Sequence, residues 1–131
     1  MPVSFVLLAV SRLSPGTGVS AVSAMFARAR QQAAAHGVTG MMAFDGAGFC
    51  HYIEVEHRAV LACMDHFQSD LRMDAFEVMH HGRCGERRCG DFLSSYAPGD
   101  GPPASEVLRA LDGHAALETF MALAEGFDLR R

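Results

Sequence analysis

Two apolar runs meet at a tight turn in the first half of this chain. Val38-Thr39-Gly40-Met41-Met42-Ala43-Phe44 leads into Asp45-Gly46, and Gly48-Phe49-Cys50-His51-Tyr52-Ile53-Glu54-Val55 leads out of it. Asp-Gly between apolar runs is a strong hairpin signal, because Gly accepts the positive φ that such a turn demands. The pattern predicts strands over 38–45 and 48–55, entered from a helix that stops at Gly37.

The flanking segments predict what this hairpin joins. Ser4 to Ser11 is a continuous apolar run ending in a polar pair, the pattern of a central strand buried on both faces. Leu13 to Gly18 holds Pro15 and two glycines and reads as a loop. Val19 to His36 follows a helical period, with Val22, Met25, Phe26 and Ala29 as its apolar stripe and Arg28, Arg30, Gln31 and Gln32 facing water. Glu56 to Asp70 is a second amphipathic helix carrying Val60, Leu61, Met64 and Phe67, with Glu56 in its first turn. Ala75 to His81 is a strand, Gly82 to Gly90 a charged connection, and Asp91 to Ala97 a last strand.

The Pro- and Gly-rich segment 98–103 is a linker or sharp turn. Two short helices follow, Ser105 to Leu111 with Ser105 as N-cap, and His114 to Ala124. Their leucines and Phe120 are expected to pack on an open face of the sheet or to form a dimer contact. The order β-α-β-β-α-β-β predicts an α+β, ferredoxin-like sandwich with C-terminal helices. The expected organisation is a domain over 1–97, with 98–131 packing on the same domain.

At 131 residues with half of them hydrophobic, the chain has enough material for one real core. A formal net charge of −4 gives no reason to expect nucleic acid as a partner. No basic segment precedes the apolar run at Val6 to Val10, and that run is too short to span a bilayer. A cytoplasmic protein with reduced thiols is expected, with no membrane partner. Cys50 and Cys63 read as small core residues.

Several residues together resemble the BLUF family of flavin photoreceptors over about residues 3–96. They are Val10-Ser11-Arg12 at the end of the first strand, Gly37-Val38-Thr39-Gly40 entering the second, and Phe49 and Ile53-Glu54 in the third. Asp70 and Arg72 follow the second helix, and Arg87-Arg88 precede the last strand. The resemblance implies FAD between the two helices, blue light as input, and a homo-oligomer or regulatory protein partner as output. It implies a sensory module and not an enzyme.

By the same resemblance the cofactor-binding positions are Ala9, Ala33, Thr39, His51 and Arg72. The family places a Tyr electron donor on the first strand, here Ala9. It places an Asn at the end of the first helix, here Ala33, and a Gln on the third strand, here His51. The family's Trp or Met on the fifth strand falls on Phe92 and Ser94. Ala9 offers no phenol to reduce an excited flavin, and His51 cannot imitate the donor-plus-acceptor exchange of an amide. A module with degenerate photochemistry is expected. The alternative is a light-insensitive interaction or assembly protein without flavin, its cleft filled by side chains such as Met41 and Met42.

Three residues have competing structural readings. His51 is the best single candidate for ligand contact, or a half-buried imidazole satisfied by a neighbour. Glu54 reads as a structural polar anchor. Arg72 serves a flavin, or an ion pair with Asp70 or Asp74. His80-His81-Gly82-Arg83-Cys84 and Cys89 gather metal-ligating residue types, but adjacent histidines on a strand point to opposite faces. A polar, Arg-rich surface hairpin with no metal is expected there. No nucleophile elbow is present, and Ser14 to Gly18 lacks the Lys and spacing of a phosphate loop.

Overall fold

The apolar run from Ser4 forms β1 (Ser4–Leu13), buried without a break from Val6 to Ser11. The computed structural model describes residues 4–97 and 101–130. Met1 and Pro2 at the expected leaderless start, and residues 98–100 of the expected linker, lie outside the described residues.

One 3-10 turn (Val19–Ala21) leads into α1 (Val22–His36), which buries Val22, Met25, Phe26, Ala29 and Ala33. It ends at Gly37, which adopts φ 66° and closes the helix onto the Ala33 carbonyl. The hairpin is β2 (Thr39–Phe44) and β3 (Gly48–Glu56). Asp45 makes its turn: the backbone N–H donates to the Gly48 carbonyl at 3.0 Å, and Oδ1 accepts from the N–H groups of Ala47 and Gly48. Gly40 is required in β2, because φ is 136° and a Cβ there would collide with the Tyr52 carbonyl.

Past the hairpin the elements depart from expectation at their ends. Glu56 stays extended and accepts a hydrogen bond from Arg58, so it does not enter the second helix. After a 3-10 turn (His57–Ala59), α2 spans only Val60–Gln68. Leu61 lies off its buried stripe and is 77% exposed. β4 (Met73–Cys84) is longer than expected, because β1 offers it a partner from Leu13 back to Ser4. Two register shifts interrupt that ladder, and Ala75 near one of them adopts φ 51°.

β5 (Phe92–Tyr96) runs parallel to β2. Two helices follow, α3 (Ala104–Arg109) and α4 (Gly113–Ala124), and then a short strand that the sequence pattern did not foretell, β6 (Asp128–Arg130), antiparallel to β5. Ser105 is not the N-cap. Pro103 takes that place with its extended backbone, and the Ser105 N–H donates instead to Asp45 Oδ2 at 2.6 Å. One carboxylate thus closes the hairpin turn and anchors α3.

The sheet order is β4-β1-β3-β2-β5-β6. The first four strands are antiparallel, which is the expected ferredoxin-like α+β arrangement. Strand alternation divides the interior into two cores. Leu7, Ala9, Met42, Phe44 and Ile53 face α1 and α2. Val6, Leu8, Met41, Tyr52 and Phe120 form the other core beneath α3 and α4. Met42 therefore joins the cleft side as expected, while Met41 packs on the opposite face.

Candidate functional site

β1, β3 and β2 lie side by side and bring Ala9, His51 and Met42 into one cross-strand row. Ala33 of α1 belongs to the same core. At the centre is His51, wholly buried and ringed by aromatic side chains: Phe67 at 5.3 Å, Phe76 at 5.5 Å and Phe49 at 6.1 Å between centroids.

Ser11 and His51 form a hydrogen-bonded pair, Oγ to Nε2 at 2.9 Å. The Ser11 hydroxyl donates to Met73 Sδ at 3.4 Å. Which partner donates in the Ser11–His51 pair depends on the imidazole tautomer. Nδ1 is buried and has no partner among the described residues. Burial pushes the His51 pKa down to about 3, so the ring is neutral at physiological pH. His51 is satisfied by a neighbour on one nitrogen only.

The space between α1 and α2 is nearly closed. A fissure of about 10 Å³ remains, lined by Met25, Met42, Phe67 and Met73 and, at its mouth, by Arg28 and His66. The mouth is stitched shut from both sides. Arg28 of α1 pairs with Asp70 at 3.3 Å and donates to Ser69 Oγ at 2.9 Å. The rings of His36 and His66 meet across the helices at 4.8 Å.

Arg72 makes a bidentate contact with Asp70, Nε to Oδ1 and Nη2 to Oδ2, each 2.9 Å. Burial raises the Asp70 pKa, but the Arg72 hydrogen bonds and the charges of Arg72 and Arg28 outweigh it and hold the carboxyl below its ordinary value. Of the readings open from sequence, Arg72 thus adopts the ion pair with Asp70.

Thr39 is committed to another centre. Its hydroxyl donates to Glu54 Oε1 at 2.7 Å. Glu54 also accepts from Tyr52 Oη at 3.0 Å and from the backbone N–H groups of Arg88 and Cys89 at 2.7 and 3.1 Å. Glu54 is the structural anchor the sequence suggested. Burial, and then Glu54 itself, push the Tyr52 phenol up, so it remains a donor.

Phe92 joins the core facing α1, and Ser94 accepts from Arg30 at 3.0 Å. The structure thus gathers Ala9, Ala33 and His51, and leaves Thr39 and Arg72 in separate polar clusters. The Ser11–His51 pair escaped sequence reasoning. Its only sequence signal is a Ser and a His inside otherwise apolar strands.

A flavin ring does not fit the space as it stands. Ligand pockets occupy about 300 Å³ or more, whereas this fissure has room for about one water molecule. Ala9 and Ala33 supply no polar atom, and Arg72 already has its carboxylate. The Nδ1 of His51 is a buried polar atom left unused among the described residues. Among the described residues no three His, Cys, Asp or Glu side chains gather to hold a metal ion. No described helix is long and apolar enough to cross a membrane.

Residues 5–93 match the model of the family BLUF, "Sensors of blue-light using FAD". No curated protein matches the chain. Among solved structures, the photo-activated state of BlsA is 14% identical with a TM-score of 0.71, covering 94% of each chain. A bacterial light-regulated adenylyl cyclase is 11% identical with a TM-score of 0.67, covering 93% of this chain and 36% of that one. Klebsiella pneumoniae BlrP1 with FMN and cyclic diGMP is 24% identical with a TM-score of 0.59, covering 65% and 23% respectively. This chain therefore spans less than a quarter of that BlrP1 chain. At these identities the structures establish the shared fold, and the family match covers more than half of the sequence. The chain belongs to the BLUF family, the flavin-based sensors of blue light.

Proposed function

We propose that this chain is a BLUF-fold regulatory module that has lost the photocycle, its flavin cleft filled by its own side chains, and that its output is protein contact. The observation that carries this reading is the fissure of about 10 Å³ between α1 and α2, with Met42 in its lining. The resemblance to photoreceptors supports a regulatory role and a homo-oligomer or regulatory partner. The light-regulated cyclase supports the same role, since there the fold accompanies an enzyme on a longer chain. Four unpaired cysteines are in keeping with a reducing cytoplasm.

A second reading keeps the flavin and loses only the switch. The Nδ1 of His51 favours it, as a buried polar atom with no partner among the described residues. On that reading Ala9, Ala33 and His51 line the ring, and Thr39 and Arg72 exchange their present partners for its polar edge. Neither reading retains a Tyr donor at Ala9.

Absorption spectra of purified protein, in the dark and under blue light, before and after excess FAD, separate these readings. A colourless protein that stays so with FAD is the expected outcome. Bound flavin bands without a light-induced red shift would transfer the conclusion to the second reading. A reversible red shift would defeat both.

A further inference from the structure

The basic segment that closes β4 is not used by the cleft. It borders a cavity of about 390 Å³ on the opposite face of the sheet, between β4, α4 and the connection to β5. Tyr52 and Leu117 give it an apolar floor, and His80, Cys84, Arg88 and His114 stand around it. We infer that this cavity binds a small organic anion, a carboxylate or phosphate ester carrying an apolar body.

Unpaired basic groups carry the inference. The chain as a whole has a net charge of −4, yet residues 80–88 hold two His and three Arg against one Glu. Arg87 is occupied elsewhere, donating to Gly37 O at 2.8 Å and to Ser4. Arg83 and Arg88, both at the cavity, make no ion pair among the described residues. The Arg88 charge is nonetheless felt at the cavity wall, where it lowers the pKa of Tyr52, Cys84 and Cys89 against the dominant effect of burial.

His80 of β4 and His114 of α4 approach to 5.5 Å between ring centroids. Neither ring has a hydrogen-bond partner among the described residues. His114 is the second residue of α4, so the positive end of that helix dipole adds to the field. Burial, and then His114 and His81, hold the His80 pKa below its ordinary value. Of the nearby acids, Glu54 is already saturated by its four donors. Glu86, also at the cavity, is exposed and shares its lining with Arg83 and Arg88.

The volume and floor define the rest of the ligand. The cavity is in the range of small-molecule sites, about 300–1,000 Å³. An apolar floor with basic walls suits an aromatic or short aliphatic body bearing one anionic head. A bare inorganic ion would leave the floor unused.

NMR titration of the full chain with benzoate and with phenyl phosphate tests this, with benzyl alcohol as the uncharged control. Saturable shifts at His80, His114 and Arg88 are expected for at least one anion, and the tighter of the two identifies the head group. Arg88→Gln and His114→Gln, both at exposed positions, should each weaken binding about tenfold, the effect of one charge-assisted hydrogen bond. An unchanged dispersion of amide signals certifies that each variant is folded. No saturation by either anion up to roughly 10 mM overturns the inference. So does equal binding of benzyl alcohol, or undiminished affinity in both variants.

Discussion

His51 and Glu54 lie three residues apart on β3, both wholly buried and on opposite faces of the sheet. Glu54 accepts four hydrogen bonds from Thr39, Tyr52 and the backbone of Arg88 and Cys89. His51 has one partner, and its second nitrogen has none. Buried polar groups are almost always satisfied, so the two residues are under different constraints. Glu54 fastens the connection before β5 to the hairpin, and nothing further is needed to explain it. His51 keeps an unpartnered nitrogen in a row beside a fissure of about 10 Å³, and on the proposed reading that is the trace of a ligand contact.

The comparison breaks first at Glu54. Replacing it in Glu54→Leu leaves four donors without their acceptor, and a loss of about 3–5 kcal/mol in unfolding free energy is expected. Urea denaturation measures it, and a loss below about 1 kcal/mol would remove Glu54 from its role as a joint. On the other face, Met42→Ala should cost about 2–4 kcal/mol by opening a cavity beside the fissure. The same variant tests whether Met42 closes the cleft: added FAD should bind it better than the parent, as read by flavin co-elution. Equal co-elution would mean that other side chains keep the cleft shut.

Arg72→Gln is expected to be milder, about 1 kcal/mol, because Arg72 is partly exposed and Arg28 still holds Asp70. The folded-state pKa of Asp70 is depressed, so its contribution is present above the ordinary carboxylate pKa and fades as pH falls through the folded value. The variant should therefore lose less stability on acidification than the parent. A variant with parental stability but altered flavin uptake would return Arg72 to the ligand.

The parts of this molecule that were legible from sequence depend on local chemistry. Asp45-Gly46 makes a turn wherever it occurs between strands, Gly37 stops a helix by its own φ, and the stripe from Val22 to Ala29 repeats at the helical period. The length of β4 was not legible, because it depends on how far β1 extends alongside it. β6 is three residues whose pairing exists only where β5 is free to receive it. At the site, the family resemblance pointed to Ala9, Ala33 and His51, and the structure brings them into one core. The Ser11–His51–Met73 chain was not legible, since it joins three strands through side-chain rotamers. Met41 and Met42 look alike in sequence, and alternation alone sends one to each core.

The sharpest reading of His51 comes from the variant with the smallest effect at neutral pH. His51→Phe places an aromatic ring among Phe49, Phe67 and Phe76 and removes one hydrogen bond together with one unsatisfied nitrogen. Stability at pH 7 should change by no more than about 1 kcal/mol. Acid then separates the two proteins. The His51 pKa is about 3 when folded, against about 6.5 for a free imidazole. Below pH 6.5 the unfolded parent takes up a proton that the folded parent refuses. Its stability thus falls by up to about 1.4 kcal/mol per pH unit down to the folded value. The Phe variant lacks this slope, while His80, whose folded pKa is also depressed, contributes equally to both. Chemical denaturation at pH 7 and pH 5 should find the variant gaining about 2 kcal/mol on its parent across that interval. Parallel acid profiles would mean that His51 is hydrated or paired in solution, and the closed cleft around it would have to open.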